Sequence, residues 1–158
     1  MGTATYLVAL GSNRRSRWGS PERTLAAALA AMGGVLAVSP VSGTPAMGPS
    51  SRRFANAVAL VASDEAPPAM LRRLKGIERA FGRRRGRRWG ARAVDLDLIG
   101  WSGGVWREPA LVVPHLRFRE RRFVLAPLAA VAPDWRDPVT GRTARQLLAL
   151  VDRRRPRP

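Results

Sequence analysis

The stretch Ala93-Val94-Asp95-Leu96-Asp97-Leu98-Ile99 alternates apolar and acidic side chains with a period of two. No other feature constrains the fold as tightly. A strand sends successive side chains to opposite faces. Val94, Leu96 and Leu98 therefore point into a core, while Asp95 and Asp97 emerge together from the other face, about 6–7 Å apart at their roots. Burying two bare carboxylates side by side is costly, so that face should meet solvent or a cation.

Other elements follow from punctuation and periodicity. Ala4 to Leu10 reads as a buried strand ending at the turn-forming triplet Gly11-Ser12-Asn13. Ser20 caps a helix with Pro21 in its first turn and Leu25, Leu29 and Met32 at helical spacing, stopped by Gly33-Gly34. Val35 to Ser42 is a second strand, where Pro40 indicates an edge or a bulge. After a Gly/Pro/Ser loop, Phe54 to Val61 is a third strand. Pro67-Pro68 open a second helix with an apolar stripe of Met70, Leu71, Leu74, Ile77 and Phe81, closed by Gly82. The acidic strand is the fourth. Leu111 to Val113 and the Pro114-His115 corner lead to an apolar, helical Phe123 to Val131. Thr143 and Gln146 form a capping box for a last helix, whose tail Arg153 to Pro158 should fray. The order predicts an α+β fold, a ferredoxin-like β-α-β-β-α-β sheet covered by helices with a C-terminal helical extension. No linker or repeat interrupts it, so residues 1–158 are expected to form a single domain.

Composition narrows the chemistry. The absence of cysteine excludes disulfides and thiolate metal sites, leaving oxygen ligands or the single His115. Apolar runs are too short to span a bilayer, which predicts a cytoplasmic protein, taken as a monomer with no membrane partner. The net charge of +17 is carried almost wholly by arginine, Lys75 being the only lysine. Such a field suits polyanions, whether nucleic acid or nucleotide triphosphate; solvated arginine faces are the plain alternative.

Alone, the acidic pair is also the pattern of a solvated strand or of salt bridges to arginine. The preceding segment favours a metal. Arg83, Arg84, Arg85, Arg87, Arg88 and Arg92 crowd the loop that enters the strand, where they repel one another without a strong anion. A Mg2+-bound triphosphate meets both demands, since Mg2+ takes one or two carboxylates together with phosphate oxygens and arginine neutralises the transferred group.

Gly82-Arg83 through Arg88-Trp89-Gly90-Ala91-Arg92-Ala93-Val94-Asp95-Leu96-Asp97-Leu98 resembles the 6-hydroxymethyl-7,8-dihydropterin pyrophosphokinase family of folate biosynthesis. So, in the same order, do Gly11-Ser12-Asn13, Thr44-Pro45 with Gly48-Pro49, Phe54 with Asn56-Ala57, and Pro114-His115 followed by Arg121, Phe123 and Pro127-Leu128. The resemblance implies transfer of pyrophosphate from ATP to the pterin hydroxymethyl oxygen, releasing AMP, with two Mg2+ held by Asp95 and Asp97. It implies Phe54 and Phe123 as walls around the pterin, and Thr44, Pro45 and Asn56 at its edge. Arg83 and Arg92 resemble catalytic-loop arginines, while Glu78, Arg85, Arg88, Trp89, Leu98, His115 and Arg121 resemble ATP-side positions. Each aromatic has an ordinary core reading as well, and His115 a reading as a turn residue beside Pro114. Departures occur at Ala46, Ala91 and Ala93, at Ala110 and Val112, and in the basic Ser50 to Arg53 stretch. They bear on affinity and loop motion.

Two other readings compete: an RNA-binding ferredoxin-like module, and an inactive relative kept as an interaction protein. The strands lack the closely spaced aromatics on which RNA bases stack, and Asp95 with Asp97 would repel a phosphate backbone. No Gly-rich loop ending in Gly-Lys-Ser/Thr occurs, which disfavours a P-loop.

Overall fold

The computed structural model describes residues 2–44, 54–82 and 93–154. Expectations for Ala46, Gly48-Pro49, Ser50 to Arg53, the arginine loop 83–92 and residues 155–158 lie outside them.

The described strands and helices follow in the order β1 (Ala4–Ser12), α1 (Pro21–Met32), β2 (Val35–Val38), β3 (Ser42–Thr44), β4 (Phe54–Ser63), α2 (Pro67–Gly82), β5 (Asp95–Trp101), β6 (Trp106–Glu108), β7 (Leu111–Val113), α3 (Arg122–Val131) and α4 (Ala144–Arg154), with a 3-10 turn at Phe118–Glu120 before α3. The main sheet runs β2-β4-β1-β5 with β3 also on β4, and its pairings are antiparallel. β6 and β7 form a small hairpin.

Alternation sorts the strands between two cores. Tyr6, Val8 and Leu10 of β1, Ala55 to Val61 at odd positions of β4, and Leu96 and Leu98 of β5 pack with Leu25, Ala28, Met32, Met70 and Leu74 of α1 and α2. Leu7, Ala9, Val58 and Ile99 face the opposite way and pack with Phe118, Val124, Leu125, Leu128, Ala144 and Leu147. The sheet is thus sandwiched between helices on both faces.

The helix boundaries follow their caps. Ser20 accepts from the Arg23 amide, and Gly33 ends α1 at φ 65°. At α4 the capping box closes in both directions: Thr143 N–H donates to Gln146 Oε1 at 2.9 Å and Gln146 N–H to Thr143 Oγ1 at 3.1 Å.

Three expectations need correction, and one strand is added to those expected. The second strand is two strands, β2 and β3, because Pro40 cannot donate to a ladder. Gly11 and Ser12 continue β1 rather than turning it, since their neighbours Asn56 and Ala55 extend β4 beside them. Trp106–Glu108 is a strand that its three residues were too short to announce. Arg153 and Arg154 stay helical within α4, where basic side chains suit the C-terminal dipole. No described helix is long and apolar enough to cross a membrane.

Candidate active site

β5 begins at Asp95, with the fold's tightest sequence constraint obeyed: Val94 and Leu96 are fully buried, Leu98 nearly so, while Asp95 is exposed and Asp97 half-buried. Ser12 fixes the approach to this strand by donating its hydroxyl to the Ala93 carbonyl at 2.7 Å. Sequence reasoning placed Ser12 in a turn and so missed this contact.

Register aligns the acids with other predicted residues. Asp95 lies opposite Gly11 and Asp97 opposite Ala9; Gly11 in turn lies opposite Asn56, which lies opposite Ser42. Asn56 shares the face of Val58, as Asp97 shares that of Ala9. One row across this face therefore runs Asp95, Gly11, Asn56, with about 9–10 Å between its outer strands. The middle of the row is kept low because glycine has no side chain: a Cβ at Gly11 would come within 3.3 Å of Asn56 Oδ1. Asn56 is buried, and Phe54, two residues earlier on the same face, is partly exposed. Thr44 ends β3 opposite Phe54. Phe123, at the start of α3, is 43% exposed although it opens a helix otherwise committed to the core, and α3 packs on β3 and β4. Gly11, Asn56 and Phe54 thus lie on the sheet face against which α3, carrying Phe123, packs.

A second recess lies along β5's outer edge. It is a cleft of about 580 Å3 between α2 and the β6–β7 hairpin, and Lys75, Asp97, Leu98, His115 and Arg121 are among its lining residues. Ala110 and Val112 are in its wall. Arg121 also places its guanidinium 5.7 Å from the centre of the Phe123 ring. Asp97, on the sheet face of Asn56, and Arg121, beside Phe123, are therefore shared between the cleft and that face.

His115 is held in a defined state. Its backbone N–H donates to the Ile99 carbonyl at 3.0 Å, and its ring Nδ1 accepts from the Arg117 amide at 3.1 Å. An accepting Nδ1 leaves the proton of the neutral ring on Nε2. Burial lowers its pKa, Asp97 opposes that, and Arg121 and Arg117 add to it. His115 is thus both a corner residue and a neutral donor at the cleft.

Glu78, which resembles an ATP-side position, is turned toward β5. It is 3% exposed, and its Oε2 accepts from the Leu96 amide at 2.9 Å. Pro45, Arg83, Arg85, Arg88, Trp89 and Arg92 lie outside the described residues. Lys75, Leu71, Leu116 and Arg117 line the cleft without having been singled out; the one available signal was that Lys75 is the chain's sole lysine.

Comparison with known proteins identifies the family. A sequence model of the 7,8-dihydro-6-hydroxymethylpterin-pyrophosphokinase (HPPK) family matches residues 7–133. A 2-amino-4-hydroxy-6-hydroxymethyldihydropteridine pyrophosphokinase of Synechocystis is 41% identical over 107 residues, covering 68% of this chain and 55% of the relative. A Pseudomonas aeruginosa protein of the same description is 40% identical over 148 residues, covering 90% and 88%. The chain thus spans little more than half the length of the first of these and most of the second. In three dimensions it is similar to wild-type Plasmodium falciparum HPPK-DHPS with pteroate, at a TM-score of 0.70 over 94% of this chain and 44% of that one, with 13% identity. That last likeness concerns fold alone.

Proposed function

Because the chain belongs to the 7,8-dihydro-6-hydroxymethylpterin-pyrophosphokinase family, we propose that it transfers the β,γ-pyrophosphoryl group of ATP to the hydroxymethyl oxygen of 6-hydroxymethyl-7,8-dihydropterin, yielding AMP and the pterin diphosphate. The observation that carries this reading is the position of Asp97. It lines the cleft with His115 and Arg121 and stands on the same sheet face as Asn56, where two substrates would meet.

In the reaction the pterin oxygen attacks the β-phosphorus, the bond to the α,β-bridging oxygen breaks, and AMP leaves with that oxygen. The hydroxyl proton is released to water. The donor set suits Mg2+: Asp95 and Asp97 would offer hard oxygens from one strand face, and no larger acidic or histidine cluster occurs among the described residues, so water and phosphate would supply the remaining ligands. Bound there, two such ions would supply charge compensation for the triphosphate. The remaining work falls to side chains. Arg121 faces the nucleotide tail from the cleft wall, and His115 offers Nε2–H as a fixed donor. Phe54 and Phe123 hold the pterin ring, while Thr44, Pro45 and Asn56 select its edge. Arg83 and Arg92 complete the proposal from their place in the family motif, stabilising charge on the moving group, with Arg85, Arg88, Trp89 and Leu98 on the ATP side.

We read the sheet order and flanking helices as the ferredoxin-like arrangement with a helical extension, a single domain over 1–158, acting as a cytoplasmic monomer. The test of function is AMP formation. AMP should appear only with Mg2+ and the reduced hydroxymethylpterin both present, and Asp97→Ala should nearly abolish it. Absence of AMP with every component supplied, or full activity in Asp97→Ala, overturns the proposal.

A further inference from the structure

We infer that Glu78 is a positioning residue for the acidic pair: it holds the β5 backbone between Asp95 and Asp97, and Lys75 supplies its counter-charge. The inference rests on the metal-nucleotide reading of that pair. β5 ends the strand order of the sheet, with β1 on one side. Edge strands present amides that no neighbouring strand accepts. The Leu96 amide, between the two aspartates in sequence, is spent on Glu78 Oε2 at 2.9 Å rather than on β1. An ionised acceptor makes such a bond shorter and stronger than a neutral one.

A buried carboxylate requires a partner charge. Lys75 lies one helical turn earlier on α2 and brings its ammonium to 3.2 Å from Glu78 Oε1. Its side chain is 44% exposed against 4% for Glu78, and it lines the cleft. A compact ammonium on a flexible stem can reach a buried oxygen from the cleft wall where a planar guanidinium fork would demand more room. That need accounts for lysine at this one position in a chain that otherwise uses arginine.

On the far side of Asp97, the His115 amide holds the Ile99 carbonyl at 3.0 Å. The strand is therefore pinned at 96 and at 99, and the Asp97 side chain rises between the pins. Metal sites depend on such supporting contacts, whose loss characteristically costs about 10–100-fold in affinity or activity.

Glu78→Gln keeps an acceptor for Leu96 and removes the charge; Glu78→Leu removes both. Three readouts separate the roles: hydrogen exchange of the Leu96 amide without ligands, Mn2+ binding in the presence of a nonhydrolysable ATP analogue followed by electron paramagnetic resonance, and steady-state kinetics. In Glu78→Leu, Leu96 exchange should accelerate at least about tenfold, and Mn2+ affinity and kcat should fall about 10–100-fold, with the KM for ATP within about threefold of wild type. Glu78→Gln, which keeps an acceptor but loses the charge, should speed Leu96 exchange by a smaller factor, about three- to fivefold, and hold the KM for ATP within about threefold of wild type. Unchanged Leu96 exchange in Glu78→Leu overturns the inference. So does a KM for ATP that rises about tenfold in Glu78→Gln, because that marks a direct nucleotide contact. If Glu78→Leu gives no cooperative melt, Glu78→Gln decides: Leu96 exchange indistinguishable from wild type overturns the inference, and exchange about three- to fivefold faster supports it. Failure of the metal-nucleotide reading itself would show separately, as full activity in Asp97→Ala with Leu96 exchange still dependent on Glu78.

Discussion

Replacing Asp137 by alanine tests how much of the site's geometry hangs on one buried charge. Asp137 is fully buried. It accepts from Arg119 Nε at 2.6 Å and Nη2 at 2.8 Å, from Thr140 Oγ1 at 2.7 Å and from the Val139 amide at 3.1 Å. Arg119 belongs to the 3-10 turn immediately before Arg121 and Phe123, so the pair ties the entry of α3 to the turn before α4. Breaking a buried ion pair from one side costs about 3–5 kcal/mol, because the remaining charge is stranded. Against a total of roughly 8–24 kcal/mol for a chain of this length, that is a large fraction. At about 2–4 °C per kcal/mol for this size, Tm should fall by roughly 6–20 °C.

The pH dependence has a definite sign. Burial alone would raise the Asp137 pKa, but hydrogen bonds from Arg119, Thr140 and the Val139 amide outweigh it, and the net shift is downward. A depressed carboxylate stabilises fully above the unfolded value of about 3.9 and ceases to do so as pH falls through its lower folded value. Calorimetric melts of wild type and Asp137→Ala should therefore differ most near neutrality and converge in strong acid. A Tm loss under about 2 °C at pH 7, or a gap that widens in acid, would refute the reasoning.

Three further outcomes are expected. Thr143→Ala should lower stability by about 1 kcal/mol through loss of the α4 cap and leave kcat unchanged, as thermal melts and kinetics would register. Gly11→Val should crowd Asn56 Oδ1 and raise the KM for the pterin about tenfold, the lower part of the 1–3 kcal/mol typical of overpacking, while the KM for ATP holds; equal effects on both substrates would count against the proposed pterin side. His115 should titrate below its ordinary value of about 6.5 in NMR, so its contribution to stability is lost as pH falls from the unfolded pKa through the lower folded one. Asp97→Asn removes the one influence that raises it, and the pKa should drop further; an increase would show that the Asp97 charge is not felt there.

The parts of the fold legible in the sequence are those set by local rules. Period two at residues 94–98 put Leu96 and Asp97 on the correct faces, and Ser20, Pro21, Gly33 and the Thr143–Gln146 box marked helix ends that the structure retains. What escaped depends on partners distant in sequence. Gly11 looks like a turn residue until β4 lies beside it, and Trp106–Glu108 becomes a strand only through β7. For the site, strand alternation could give Asp95, Asp97 and Asn56 a face. Helical periodicity could put Glu78 on the core side of α2, yet it carried no information on what the carboxylate would meet. That depended on where β5 ends up lying against α2, a tertiary fact.

The two borders of the main sheet are finished differently. Along β5, a glutamate and a histidine main chain occupy hydrogen-bonding groups that an incoming segment would need. At β2 the outermost residues are aliphatic, with Leu36 62% and Val38 44% exposed. Self-association at high concentration should accordingly start from the β2 border, and a lysine at position 36 would be the economical way to improve solubility while leaving the catalytic side untouched.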